Sequence, residues 1–514
     1  MPHRIAYIAS EIAGFAKTGG LADVGAGLCQ ALTAQGHDCR AWMPLYRSVR
    51  QGNRPLEDTG IRFTVPIQNR LVQGGLWRST MADGSIPVYL VEQPEYFERD
   101  DPRLGRGLYQ EAKADGTRTD YPDNCERFVF FCRAVLESLV RMDWKPDVFH
   151  ANDWQCGLVP VYLQELYRQR AGLPFARSLF TIHNLAYQGM FWHWDMHLTG
   201  LSWRLFNHRQ LEFYGHLNFL KGGIVFSDLV TTVSPTYARE IQTAEYGCGL
   251  EGVLFERRDR LFGIVNGIDD RAWNPADDVH LPVHYDVNTA QAGKAACKAA
   301  LQRRFNLPRK PRAPVLGMVS RLAEQKGLDL IARVAEAILR EDTQMIFLGE
   351  GEPVYQRMLQ DLRNRYPNQV GLALGFDEPL AHLVEAGSDM FLMPSRYEPA
   401  GLNQLYSLRY GTVPIVRATG GLADTTTDYT PKTLAAGTAT GFRFDAYLPQ
   451  ALLSCMERAL AVYHRQPEAW LSLIRTGMGQ DWSWHRSALA YEKLYDRLVA
   501  EPQARFSVPN ASPA

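Results

Sequence analysis

Short apolar runs alternate along this chain with stretches whose apolar residues recur at helical spacing. RIAYIAS, Arg4 to Ser10, has the pattern of a buried strand, and Leu21 to Gln35, just after a glycine pair, has that of an amphipathic helix. The same beat returns in KPDVFHAND before GLVPVYLQELYRQR, in RSLFTIHN, and in SDLVTTVS before PTYAREI. A second series opens with APVLGMVSRL before GLDLIARVAEAILRE and runs on through TQMIFLGEG, QVGLALGF, DMFLMPS and VPIVRA. Repeated strand-helix units predict an α/β fold with two successive, mostly parallel, doubly wound sheets carrying helices on both faces. Between the series, Asp269 to Arg312 is polar and proline-bearing, which reads as a connection and a feeder helix. The expected domains are therefore 1–265 and 266–481, followed by a C-terminal helix over 482–503. The Pro, Ser and Asn content of 504–514 predicts a disordered tail.

Composition narrows the function classes. At ~150 residues per domain, 514 residues suit two or three domains. Hydrophobic residues make up 46% and charged residues 22%, enough for large cores. The net charge of −1 argues against bulk attraction to nucleic acid or an anionic membrane, so any anion must be bound by a few placed groups. No apolar run approaches the ~20 residues of a membrane span, and RIAYIAS is too short for a secretory signal. The eight cysteines never fall at C-x-x-C spacing, which reads as free thiols and predicts a cytoplasmic protein. His193 and His197 have the spacing of a metal pair on a helix but no matched third ligand, so no metal is expected.

In open parallel sheets ligands gather at the carboxyl ends of strands, and the loops there carry the candidate chemistry. KTGGLADVGAGL combines Lys17 with Gly19 and Gly20 before a helix, a design that suits an anion, although a glycine turn beside a surface lysine explains the loop equally well. It is neither a Walker loop nor G-x-G-x-x-G. SRLAEQKG places Arg321 and Lys326 in one loop after a strand, two cations able to converge on a pyrophosphate. ATGGLADT repeats the first glycine string at Thr419, Gly420 and Gly421. In SRYEPAGLNQLY, Glu398 follows an apolar strand and precedes a helix, where a carboxylate can accept from sugar hydroxyls or simply complement the helix dipole.

Taken together and in order, KTGGLADV, HANDW, FTIHNLAYQG, NFLKGGIVFSD, TTVSPTYAREI, GIVNGIDDRAWNP, SRLAEQKG, SRYEPAGLNQLY and GTVPIVRATGGLADT resemble glycosyltransferase family 5, the bacterial glycogen synthases and plant starch synthases. The resemblance covers nearly the whole chain. It implies the GT-B fold, two Rossmann-like domains facing across a deep cleft. It also implies retaining transfer of glucose from ADP-glucose, a substrate rather than a cofactor, to the non-reducing 4-hydroxyl of an α-1,4-glucan such as glycogen.

On the family pattern Lys17, Gly19 and Gly20 line the donor, Arg321 and Lys326 grip its diphosphate, and Glu398 holds hydroxyls of the transferred glucose. Thr419, Gly420 and Gly421 are implied as phosphate donors, Asn266 as a cleft residue near the domain junction, and Phe376 as the aromatic on adenine. His183, Asn184, Asp153 and Tyr109 are implied beside the sugar or acceptor. The chain departs from the pattern at Ala400 and Asn403, where cysteine and threonine are frequent, and at Asn152, which replaces the second histidine of a common HAHDW. It opens directly on its first strand, which suits a bacterial-type enzyme. Two alternatives stand beside this expectation: a related transferase using UDP-glucose or another acceptor, and a catalytically silent glucan-binding scaffold. The joint presence of Lys17, Arg321, Lys326 and Glu398 speaks against the scaffold. Oligomeric state is not legible in the sequence.

Overall fold

The computed structural model describes residues 2–81, 84–113, 117–167, 173 and 177–501. The expected tail over 504–514 lies outside them. The chain divides into two units: Met1–Thr232, Ile241–Ile264 and the segment from His485 form one, and Val233–Glu240 with Val265–Trp484 form the other. The sequence boundary near residue 265 thus misses one excursion. The helix Pro235–Glu240 belongs to the second unit, where Asp424 accepts from Thr236 N at 2.9 Å and from Thr236 Oγ1 at 2.6 Å.

Among the described residues, the first unit is built on a nine-stranded sheet. Its strands are β1 (Arg4–Ile8), β2 (Asp38–Pro44), β3 (Glu57–Ile67), β4 (Arg70–Thr80), β5 (Pro87–Glu92), β6 (Val148–Asn152), β7 (Arg177–Ile182), β8 (Leu229–Thr232) and β9 (Leu261–Gly263). Their spatial order is β9-β8-β7-β6-β1-β2-β5-β4-β3. All neighbours are parallel except that β4 runs antiparallel to both β3 and β5. From β1 the chain moves outward through β2 and then returns to β6 on the other side, Ile5 pairing with Val148. A switch point therefore lies between β1 and β6, where the loops at their carboxyl ends part and open a crevice.

The second unit has a six-stranded, wholly parallel sheet among the described residues. It consists of β10 (Val315–Val319), β11 (Gln344–Gly349), β12 (Val370–Leu374), β13 (Met390–Met393), β14 (Val413–Arg417) and β15 (Phe442–Phe444), in the order β12-β11-β10-β13-β14-β15. Its switch point lies between β10 and β13. The helix Leu328–Leu339 shows why the sequence pattern works here: Leu328, Ile331, Ala335 and Ile338 recur at helical spacing and are all buried.

The last helix, Trp484–Ala500, closes the first unit. Ala488, Tyr491, Tyr495 and Leu498 form its buried stripe. Tyr495 Oη pairs with His150 Nδ1 at 2.8 Å, His3 with Asp496 at 2.7 Å, and Arg260 with Glu501 at 2.6 Å. Deleting residues 485–514 strips three large side chains from this face at about 2 kcal/mol each, a loss on the scale of a domain's whole stability of roughly 5–15 kcal/mol. The truncated chain should be insoluble or melt roughly 10 °C lower or more; an unchanged thermal denaturation curve would contradict this packing.

No described helix is long and apolar enough to cross a membrane. The eight cysteines form no disulfide.

Candidate functional site

Two groups of polar side chains occupy the two switch points, one in each unit.

In the first unit the loop after β1 carries Ser10 and Glu11. Glu11 is almost sealed from solvent, yet its carboxylate is well supplied: Tyr109 Oη and Thr18 Oγ1 each donate to Oε1 at 2.7 Å, and Thr18 N–H donates to Oε2. Burial pushes Glu11 above the usual carboxylate range while these donors pull it back. Tyr109 Oη also lies 2.8 Å from Ser10 Oγ. Its own loop is fixed by Asn124, which donates to Tyr109 O at 3.0 Å, and by buried Arg127, which donates to Leu108 O at 3.0 Å.

Across the switch point, β6 ends in Asn152 and is followed by Asp153, whose φ of 54° and ψ of 180° is a backbone conformation that costs a non-glycine residue of order 1–3 kcal/mol. Two bonds hold Asp153 there: its N–H donates to Thr181 O at 2.9 Å, and its Oδ1 accepts from His183 N at 2.7 Å. Burial raises Asp153 to about 7 against the pull of the His183 and Asn184 N–H groups. His183 is pushed down to about 3 by burial and is therefore neutral, its Nε2 2.9 Å from Asn152 Oδ1. Asn184 closes a local turn, its Oδ1 accepting from Ala186 N at 3.0 Å. Glu11, Tyr109, Asp153 and His183 thus gather at one crevice, and the first of these escaped the sequence reading. The signal was present: a charged residue directly ending an apolar strand, just ahead of the glycine loop. Lys17 is exposed and pairs with Asp23 at 2.7 Å, and Gly19 caps an exposed helix start continued by Gly20.

The second unit places Arg321 and Lys326 after β10 and Glu398 after β13. Glu398 is buried, and its Oε2 accepts from Lys326 Nζ at 2.7 Å and from Ser395 Oγ at 2.9 Å. Arg321 is exposed, and its side chain makes no ion pair or hydrogen bond among the described residues. Asn403, at a family departure, pins the helix Asn403–Arg409 to the end of β10 by donating to Val319 O at 2.6 Å. Phe376 stands 82% exposed, its ring open to a stacking partner.

Asn266 and the Thr419–Gly421 loop have surroundings the sequence did not reveal. Asn266, expected near the domain junction, is buried, and its Oδ1 has no hydrogen-bond partner among the described residues. The backbone donors expected at Thr419, Gly420 and Gly421 are already engaged: Thr419 N donates to Arg417 O, and Gly421 N to Glu398 O and Pro399 O. Gly420 N donates to the Glu240 carboxylate at 3.0 Å, and Thr419 Oγ1 donates to the same group at 3.0 Å. A carboxylate of the protein itself therefore holds the groups expected to serve a phosphate. No sequence signal distinguished Glu240, a single acid in an amphipathic helix. Among the described residues no group of three or more His, Cys, Asp or Glu could hold a metal ion; His197 instead stacks on Trp194 with ring centroids 5.4 Å apart.

Residues 4–256 match the starch synthase catalytic domain family, and residues 301–466 match the family of glycosyl transferases group 1. The chain is 47% identical over 496 residues to a glycogen synthase of Anaeromyxobacter dehalogenans, covering 96% of this chain and 100% of that one. It is 44% identical over 514 residues to a glycogen synthase of Rhodopirellula baltica, covering 98% and 99%. Among solved structures, the catalytic domain of starch synthase IV from Arabidopsis thaliana, bound to ADP and acarbose, superposes with a TM-score of 0.87 at 34% identity, covering 98% of this chain and 100% of that one. A sucrose-phosphate synthase from Thermosynechococcus elongatus shares the fold, with a TM-score of 0.57 at 18% identity over 97% and 99% of the two chains. The two parallel α/β sheets are those of the GT-B fold, and the chain belongs to the glycogen and starch synthase family of glucosyltransferases.

Proposed function

We propose that this chain elongates an α-1,4-glucan such as glycogen by transferring glucose from ADP-glucose to its non-reducing 4-hydroxyl, with retention at the anomeric carbon and release of ADP. The observation that carries this reading is the Lys326–Glu398 pair at the second switch point, a buried carboxylate and a cation 2.7 Å apart. A carboxylate there can grip sugar hydroxyls while the cation faces the phosphate next to the anomeric carbon. Arg321, exposed in the same loop as Lys326, adds a second charge for the diphosphate, and Phe376 offers its face to the base. Thr419 and Gly420 can serve a phosphate only if Glu240 gives up their donors. In the first unit Lys17, Gly19 and Gly20 are assigned to the donor, and Tyr109, Asp153, His183 and Asn184 to the sugar or acceptor. The ADP and acarbose held by the Arabidopsis starch synthase domain support the choice of nucleotide and a glucan-like ligand.

The difficult step breaks the bond between the anomeric carbon and a diphosphate oxygen, leaving an oxocarbenium-like sugar and a developing anion. Cations aimed at that anion do most of the catalytic work. The acceptor hydroxyl attacks on the face the diphosphate leaves, and the departing phosphate oxygen takes its proton. A double displacement needs an ionised carboxylate nucleophile at the anomeric carbon. Burial raises Asp153 to about 7, which disfavours its ionised form, and Glu398 is committed to Lys326 and Ser395. A glucosyl ester trapped on either residue would refute same-face attack.

The test is nucleoside diphosphate release with glycogen as acceptor, comparing ADP-glucose with UDP-glucose. Glycogen-dependent ADP release is expected. Release from UDP-glucose alone would replace the donor, and release from neither, with glycogen still bound, would favour a silent scaffold.

A further inference from the structure

Asn152 ends β6 with both ends of its amide committed. Nδ2 donates to Ile8 O at 3.0 Å and to His150 O at 3.2 Å, and Oδ1 lies 2.9 Å from His183 Nε2. Carbonyl oxygens only accept, so turning the amide over would set its oxygen against two others. The amide oxygen must therefore face the imidazole, and the ring nitrogen opposite it must carry the hydrogen. We propose that Asn152 locks His183 in the Nε2–H tautomer, leaving Nδ1 as a bare acceptor reserved for a hydroxyl of the bound sugar.

Several observations converge on this assignment. The His183 backbone is anchored as well, its N–H donating to Asp153 Oδ1 at 2.7 Å beside the ring's own bond to Asn152. Among the described residues Nδ1 has no hydrogen-bond partner, and His183 as a whole is partly exposed. Burial keeps the ring neutral at physiological pH, which preserves the lone pair on Nδ1. The substitution that sets this chain apart from HAHDW has a physical content here. A histidine at position 152 could present either a donor or an acceptor to His183, depending on its own tautomer, whereas an amide oxygen pinned by two carbonyls can only accept.

The tautomer does not depend on the reaction; its use for a sugar hydroxyl rests on the glucosyl-transfer reading above. The full-length chain labelled with nitrogen-15 histidine separates the two. His183 signals are identified by their loss in His183→Gln. A protonated, pyrrole-type Nε2 and an unprotonated, pyridine-type Nδ1 around neutral pH are expected, and an Nδ1–H tautomer or an imidazolium overturns the proposal. In Asn152→Ala the tautomer should become mixed and kcat/KM for the sugar donor should fall about tenfold, the loss of one hydrogen bond, while the Kd for ADP alone stays unchanged. Equal losses in ADP affinity and turnover, or none in either, would reduce Asn152 to a structural role and overturn the sugar half. Should Asn152→Ala fail to fold, the wild-type spectrum still decides the tautomer. An inactive wild type with the expected spectrum would refute the transferase reading and leave the tautomer lock standing.

Discussion

Replacing Glu398 with alanine should reduce glycogen-dependent ADP release by about 10³ or more while the chain stays folded. The carboxylate is buried and answers to Lys326 and Ser395 at 2.7 and 2.9 Å. Hydrogen bonds from a charged group are worth about 1.5–3 kcal/mol each, so losing two to the sugar in the transition state costs on the order of 4 kcal/mol, or about a thousandfold in rate. Glu398→Gln keeps the shape and one acceptor but not the charge, and should lie between, losing roughly tenfold to a hundredfold. Lys326→Ala should resemble Glu398→Ala, and the double variant should be little worse than either single one, because the two act as a unit. Alanine at position 398 leaves Lys326 without its carboxylate, so thermal unfolding must accompany the kinetics, with the glutamine variant as the packing control. A folded Glu398→Ala chain retaining a tenth of the wild-type rate would remove this residue from the reaction.

Lys326 and Glu398 were legible because each follows an apolar strand, and strands of a parallel sheet, buried on both faces, announce themselves as continuous apolar runs. Met390–Met393 is such a run, with every residue buried. The β3–β4 hairpin lacked that signature. β3, at the edge of the sheet, alternates between more and less buried positions, and it joins β4 at Gln68–Asn69, where Gln68 takes a φ of 55° with no glycine or proline in the two-residue turn. Glu11 and Glu240 escaped for a different reason. A lone acid in a sequence looks like a solvated charge; only the fold reveals that Glu11 is sealed among Tyr109 and Thr18, and that Glu240 reaches the Thr419–Gly420 loop from a segment about 180 residues away in the chain. The excursion Val233–Glu240 is similarly invisible to composition, since the helix itself is ordinary and only its partner Asp424 assigns it to the second unit.

The repeated TGGLAD string is where sequence likeness misleads most, and alanine scanning of its glycines should show it. A Cβ on Gly421 would stand 1.9 Å from Ala400 O, 2.6 Å from its carbonyl carbon and 2.7 Å from its Cα. On Gly420, already at a φ of +45°, it would stand 2.0 Å from Glu398 O. Every obstacle is backbone, so neither position can yield by a side-chain rotation. Gly421→Ala must push the 398–401 segment away, with a cost well above the ~1 kcal/mol of an ordinary substitution. It should either prevent folding or, if the chain survives, move Glu398 by an ångström and lose about a hundredfold in kcat. Gly19, in the first copy of the string, has nothing within 4 Å of a built Cβ and an extended φ of −160°. Gly19→Ala should therefore melt like the wild type, within about 0.5 kcal/mol, and any effect should appear as a raised KM for the nucleotide sugar. Paired melting curves and donor titrations on the two variants check this division. If Gly421→Ala proved as stable and active as the wild type, the second loop would not be wedged against Glu398, and the account of how that carboxylate is aimed would fail with it. Both copies of the string open helices after strands, but in the second the glycines let the protein pack on itself, whereas in the first a Cβ on Gly19 would meet nothing within 4 Å.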